Sequence, residues 1–209
     1  MITMTRYFVL MGLFVFVSCA NTNNTIYREV FTSIKNIVTG GNDQIIDRAF
    51  FESQRFSFVK VRVGRSDSII MILLDYKDDV FHWYSADGIS IYTKQGKIIE
   101  TSGLENDIRI VDSADYFVCS NHNDVYLVDF YYPKLKDLKI KTQSSFINEV
   151  EYVYMDTSKQ VKICNENIKT NLIRYSRDNK FYYDGKTVLK AEQYIHPHFP
   201  KITIEFFVK

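Results

Sequence analysis

The sequence predicts a mainly β protein, with antiparallel sheets packed as a sandwich or an open barrel and a short N-terminal amphipathic helix. Three observations predict it. From Phe58 onward, short segments with period-two alternation or a continuous apolar run recur, separated by polar and glycine-containing turns. Aromatic residues make up 15% of the chain, with 15 Tyr and 16 Phe against one Trp, and large half-buried rings suit a pleated surface. Only three prolines occur, all placed at strand edges or in loops. A β-propeller would need a repeat of about 40 residues, and none is visible.

The chain opens with one basic residue, Arg6, and an apolar run from Tyr7 to Val17. That run is short for a membrane span, which takes roughly 20 apolar residues, and suits the core of a secretory signal. It ends in Phe16-Val17-Ser18-Cys19-Ala20, two apolar residues, a small residue and a cysteine. This is the lipobox pattern, in which the Cys19 thiol is alkylated by lipid before cleavage. The alternatives are a buried N-terminal strand and an uncleaved anchor, but the sequence turns polar at once over Ala20 to Thr25. The division expected is a signal peptide over 1–18, a lipidated tether over 19–25 and one mainly β periplasmic domain over 26–209. Ala20 rather than Asp after the cysteine implies the outer membrane by the sorting rule of Gram-negative lipoproteins. Several acyl chains on one cysteine, diacylglycerol and palmitate among them, make such a tether stable where one chain alone is marginal.

Within the domain, Ile26, Val30, Phe31, Ile34, Ile37 and Val38 fall at helical spacing, predicting a helical lead-in over 26–39 that packs on the core. A second, short helical stretch is expected near Asp43 to Phe50. Strands follow. Phe58 to Val63 alternates valines with Lys60 and Arg62, and Ser68 to Leu74 is apolar enough to be buried on both faces. Val80 to Ser85, Ile89 to Thr93 and Lys97 to Thr101 come next, the last two joined by the turn Lys94-Gln95-Gly96. Further segments run over Ile108 to Val111, Tyr116 to Cys119, Val125 to Tyr132, Leu138 to Thr142, Glu149 to Tyr154 and Val161 to Cys164. Leu172 to Ser176, Phe181 to Tyr183, Thr187 to Tyr194 and Ile202 to Val208 complete them.

Charge narrows the function. Without Arg6 the mature part has 25 basic and 25 acidic side chains, so binding to nucleic acid through phosphate neutralisation is not expected. Cys119 and Cys164 suit two separate buried thiols; an oxidising periplasm also allows a disulfide if their Cα atoms come within about 7 Å. Neither has metal-site spacing. Gly185-Lys186-Thr187 lacks the earlier glycine of a phosphate loop, since Lys180 stands there, and Asp184-Gly185 reads as a hairpin turn. His196 and His198 offer two imidazoles without an evident third ligand. Asp78-Asp79 and Glu149 with Glu151 are paired only by spacing, and no Gly-x-Ser-x-Gly turn exposes a nucleophile. No catalytic residue, metal or cofactor is expected.

One constellation is more specific. After Ser68 to Leu74 come Trp83-Tyr84-Ser85-Ala86-Asp87, then Thr93-Lys94-Gln95-Gly96-Lys97 and Thr101-Ser102-Gly103-Leu104. One reading makes Trp83 and Leu104 core, with Asp87, Thr93 and Thr101 satisfying turn backbones. The other has Trp83 and Tyr84 stack on a glycan. The array resembles the group 4 capsule polysaccharide lipoprotein family (the GfcB/YjbF family), whose members carry Trp-x-Ser-Ala-Asp, a Thr-x-x-Gly-Lys or Thr-x-x-Gly-Arg hairpin and Thr-x-Gly-Leu. Val61-Arg62-Val63-Gly64 and the stretch from Phe181-Tyr182-Tyr183-Asp184 through Pro197 to Lys209 are similar to that family as well. Between about Asp112 and Lys180 little matches, and Tyr182 stands where the family often has Trp.

The resemblance implies location and pathway rather than chemistry. The expectation is a non-enzymatic outer-membrane lipoprotein, tethered through Cys19 on the periplasmic face, that assists secretion or assembly of an exopolysaccharide or capsule. Its implied partners are an outer-membrane β-barrel protein, a periplasmic protein of the export system and the polysaccharide itself. The alternatives are an enzyme that modifies or hydrolyses the exported glycan, and a purely structural envelope lipoprotein.

Overall fold

A computed structural model describes residues 45–112, 119 and 123–209. Cys19, the tether, the helical lead-in over 26–39 and all but the last residue of the expected strand Tyr116 to Cys119 lie outside these residues. The helix expected near Asp43 to Phe50 begins slightly later, as α1 (Arg48–Ser53). Asp47 caps it, its Oδ1 accepting from Phe50 N at 2.6 Å.

Twelve strands follow: β1 (Phe58–Val63), β2 (Ile69–Lys77), β3 (Val80–Tyr84), β4 (Ser90–Lys94), β5 (Lys97–Ser102) and β6 (Ile108–Asp112). After these come β7 (Asn123–Tyr131), β8 (Lys134–Tyr154), β9 (Thr157–Thr170), β10 (Tyr175–Asp184), β11 (Thr187–Gln193) and β12 (Ile202–Phe207). Each strand pairs antiparallel with the next, and β1 pairs with β12, so the sheet is a closed up-and-down barrel. The mainly β, antiparallel class is therefore the one the sequence predicts, and closure leaves no free end strand.

Several boundaries differ from the sequence expectation; the segment expected over Val161 to Cys164, for one, is the longer β9. The separate strands over Leu138 to Thr142 and Glu149 to Tyr154 are one strand, β8, whose register against β9 shifts between Phe146 and Asn148. That irregularity breaks the alternation, which is why the pattern reads as two pieces. Leu172 to Ser176 is not a strand of its own: Asn171 to Arg174 forms the turn after β9, and Tyr175 and Ser176 open β10.

Alternation decides which face is which. Along β1, Val59 and Val61 are buried in the core while Lys60 and Arg62 face outward, and their partners in β12 repeat the pattern. One continuous cluster fills the barrel, including Met71, Trp83, Ile140, Phe181 and Ile204. Lys139, Lys141, Lys169 and Asp178 are exposed on the outer wall. The barrel is thus apolar within and charged without, the reverse of a membrane-spanning barrel.

The wall is not uniform. β5 and β6 share one register pair, Glu100 with Arg109, which makes this the thinnest seam. Opposite it, Gln193 of β11 reaches inward to the start of β5, accepting from Ile98 N at 3.0 Å and donating to Gly96 O at 2.8 Å. Beyond Gln143, β8 no longer pairs with β7, and its far end forms a hairpin arm with β9. The arm lies on the outside of the barrel. Tyr154 stacks on Phe207 at 5.4 Å and donates to Phe206 O at 2.6 Å. Phe207 in turn stacks on Phe58 at 4.9 Å, and Phe50 of α1 meets Phe58 edge-on at 5.9 Å.

The β4–β5 turn shows what the arrangement demands of one residue. Gln95 and Gly96 have φ of 51° and 80°, a two-residue turn of the kind that suits a hairpin. A Cβ on Gly96 would lie 2.7 Å from Val188 Cγ1, whereas at Gly185, with φ of 61°, it would meet nothing within 4 Å. Gly96→Ala is expected to cost roughly 2–4 kcal/mol and Gly185→Ala about 1 kcal/mol. Urea unfolding of both variants checks this through the shift in midpoint.

Candidate functional site

Of the residues singled out from the sequence, Trp83 is placed differently from the glycan-stacking expectation. It is fully buried, stacked on Phe81 with ring centroids 5.5 Å apart, and its Nε1 donates to Thr93 Oγ1 at 2.8 Å. The other reading of Trp83, as core, is the one that holds. The Thr101 to Leu104 part of that motif is structural too. Asp107 gathers the loop after β5, accepting from Thr101 Oγ1, Gly103 N and Leu104 N at 2.8, 2.9 and 3.1 Å. Thr101 Oγ1 in turn accepts from Ile108 N. Cys119 and Cys164 are not separate thiols: their Cα atoms are 5.9 Å apart and the sulfurs are joined as a disulfide. The bridge ties the connection between β6 and β7 to the inner face of β9.

Tyr84 has the opposite placement to Trp83, because β3 alternates. Phe81 and Trp83 turn inward, so His82 and Tyr84 lie on the outer wall, each half-buried. There the register aligns Asp75, His82, Tyr92, Glu100 and Arg109 in one row across β2 to β6. His82 stacks on Tyr92 with centroids 4.1 Å apart, and Tyr84 meets His82 edge-on at 6.5 Å. His82 Nε2 and Ser90 Oγ are 3.0 Å apart, and Glu100 is 3.6 Å from Arg109. Burial lowers the pKa of His82 even though Asp75 and Glu100 oppose it, so the imidazole favours its neutral form. Burial likewise raises that of Tyr92. The row offers ring surface flanked by carboxylates, a combination that matches the apolar faces and hydroxyl rims of sugar rings. Only Tyr84 of this set was legible beforehand; the signal for the rest is the period-two alternation of β3 and β4 around an inward Trp83.

A second outer cluster sits beneath the hairpin arm. Tyr152 of the arm lies 5.9 Å from Tyr182, and Glu192 meets Lys190 and Lys201 at 3.0 and 2.9 Å. Burial opposes ionisation of Glu192, but hydrogen bonds from Lys201 and Lys190 outweigh it and bring its pKa down to about 2. Held as a carboxylate between two ammonium groups, Glu192 is not poised to give or take a proton near neutrality.

Inside the barrel is a third group. Lys97 Nζ donates to Glu166 Oε1 at 2.8 Å, and Asn179 Nδ2 donates to Glu166 Oε2 at 3.0 Å. Tyr194 N donates to Asn179 Oδ1 at 2.7 Å, and Lys97 lies 4.1 Å from the Tyr126 ring centre. Of the three side chains only Lys97 was noted from the sequence, as the end of the Thr93 to Lys97 hairpin and without a role. The two histidines noted there part company: His196 is buried against Phe130 and His198 is exposed. Among the described residues no group of three or more His, Cys, Asp or Glu is placed to hold a metal ion.

Fold and surface together define a class: a closed barrel of antiparallel strands with a mainly apolar core around one buried polar group, and with charged and aromatic groups on the outer wall. Residues 31–207 match the family described as group 4 capsule polysaccharide lipoprotein gfcB, YjbF, and the chain belongs to that family. It is thereby one of a family of membrane-anchored envelope lipoproteins. In structure it is similar to a hypothetical lipoprotein, YmcC, from Escherichia coli (K12), with a TM-score of 0.72 at 14% identity, covering 91% of this chain and 98% of that one. At that identity the likeness concerns the fold. No curated relative matches the chain.

His196 generates a pH prediction. Burial, and then the neighbouring His198, bring its pKa down to about 4, against about 6.5 in an unfolded chain. Its contribution is complete above about pH 6.5. As the pH falls the unfolded chain takes up the proton first, so stability drops by up to about 3 kcal/mol by pH 4 and then levels. Urea titrations across that range should show this slope, and His196→Gln should remove it.

Proposed function

We propose that this protein is a non-enzymatic accessory factor for the secretion or assembly of an exopolysaccharide, anchored through Cys19 to the inner leaflet of the outer membrane. The observation that carries the reading is membership of the capsule polysaccharide lipoprotein family over residues 31–207. The row of His82, Tyr92, Asp75 and Glu100, with Tyr84 beside it, supports a direct contact with the glycan. Rings on a rigid sheet lose little freedom on binding, and the carboxylates can accept sugar hydroxyls. An outer-membrane barrel protein and a periplasmic protein of the same export system are the proposed protein partners. A lipid tether keeps the barrel at the membrane surface, where its encounters with both are intramolecular in effect.

Deleting the protein is expected to reduce cell-surface polysaccharide under conditions where the parent strain makes it. Restoring it with Cys19→Ser should fail to recover the polymer, and the double variant Tyr84→Ala, Tyr92→Ala should recover it only in part at equal protein level. Unchanged polymer in the deletion strain, measured by polysaccharide extraction and staining, would refute the role.

A further inference from the structure

Three reactive groups meet in the barrel interior in an order that has a chemical meaning. Lys97, Glu166 and Asn179 are 3%, 0% and 3% exposed. They come from β5, β9 and β10, and β5 is a neighbour of neither of the others in the sheet. The two oxygens of one carboxylate hold an amine on one side and a carboxamide on the other, at 2.8 and 3.0 Å. The carboxamide oxygen already accepts a backbone hydrogen bond, from Tyr194 N at 2.7 Å. An amine nucleophile, an amide electrophile, a carboxyl group between them and a donor on the acyl oxygen are the parts of an acyl-transfer centre.

We propose that Lys97 and Asn179 form an intramolecular isopeptide bond, with Glu166 moving the protons. The Lys97 ammonium passes a proton to the Glu166 carboxylate 2.8 Å away. The free Nζ lone pair then attacks Asn179 Cγ, and the carbonyl electrons move to Oδ1, where Tyr194 N–H stabilises the developing charge. Glu166 delivers its proton to Nδ2 and takes one from the attacking nitrogen. The Cγ–Nδ2 bond breaks, ammonia leaves and a secondary amide joins the two side chains. Atoms and charge balance: an ammonium, a carboxylate and a primary amide become a secondary amide, a carboxylic acid and ammonia, without oxidant or co-reactant.

The surroundings favour this course. Both partners are held on one carboxylate, so the reaction loses little freedom in reaching its transition state. A cavity of about 20 Å³ borders both Lys97 and Asn179, which is room for one molecule the size of water or ammonia. The bond would also fasten β5, the strand with the thinnest seam, to the opposite wall.

The test is a peptide map of the full-length protein, purified from membranes in detergent, denatured, reduced and digested. The expected product is one branched peptide joining Lys97 to Asn179, lighter than the two linear peptides together by one ammonia, with no cleavage by trypsin after Lys97. Glu166→Gln should yield the two linear peptides in its place. Linear peptides only, from the wild-type chain, would overturn the proposal. A branched peptide from Glu166→Gln would overturn the part given to Glu166. Should that variant fail to accumulate, the wild-type map decides by itself.

Discussion

Glu166 has no exposed surface, and the inside of the barrel is arranged around that fact. A carboxylate removed from water costs several kcal/mol unless its oxygens are occupied and its charge is matched. Both conditions are met by residues from other strands, Lys97 on one oxygen and Asn179 on the other. The consequence is that β5, β9 and β10 are held in one relative position. A slip of one residue in any of them would turn a partner to the outer wall and leave the carboxylate uncompensated. Apolar packing alone would tolerate several registers in so evenly apolar an interior; the buried polar group does not.

The outer wall obeys a different rule. Alternate residues of each strand that the core does not use turn to the outer wall, where the arm and α1 cover some of them. β3 shows the division within five residues, with Phe81 and Trp83 in the core and His82 and Tyr84 outside. The same alternation explains why the single tryptophan, the side chain that most invites a binding role, is turned into the core. Its indole N–H needs a partner that an interior rarely supplies, and Thr93 on the adjacent strand supplies it.

The fold class was legible because it rests on local pattern: period-two alternation, hairpin turns at Lys94-Gln95-Gly96 and Asp184-Gly185, and few prolines. Closure was not, since it depends on β1 meeting β12, a pairing between chain ends that no local window contains. The extent of β8 was hidden by its register shift near Phe146. The interior polar group was hidden more thoroughly. Lys97 sits in a hairpin pattern where lysine normally faces water, and Glu166 lies within Asn165-Glu166-Asn167, a run that reads as exposed. Only the three-dimensional register turns these polar residues inward together. The disulfide was open for a similar reason, because spacing carries no information on whether two Cα atoms approach.

β9 is the strand on which these separate ties converge. Its inward Cys164 holds the connection between β6 and β7, and two residues further its inward Glu166 holds β5 and β10. Its other end departs from the wall with β8, and the arm so formed returns to the outside of the barrel, where Tyr154 closes over the β12 and β1 aromatics. A single hairpin therefore fastens the barrel from within and from without. The row from Asp75 to Arg109 lies elsewhere on the outer wall, across β2 to β6.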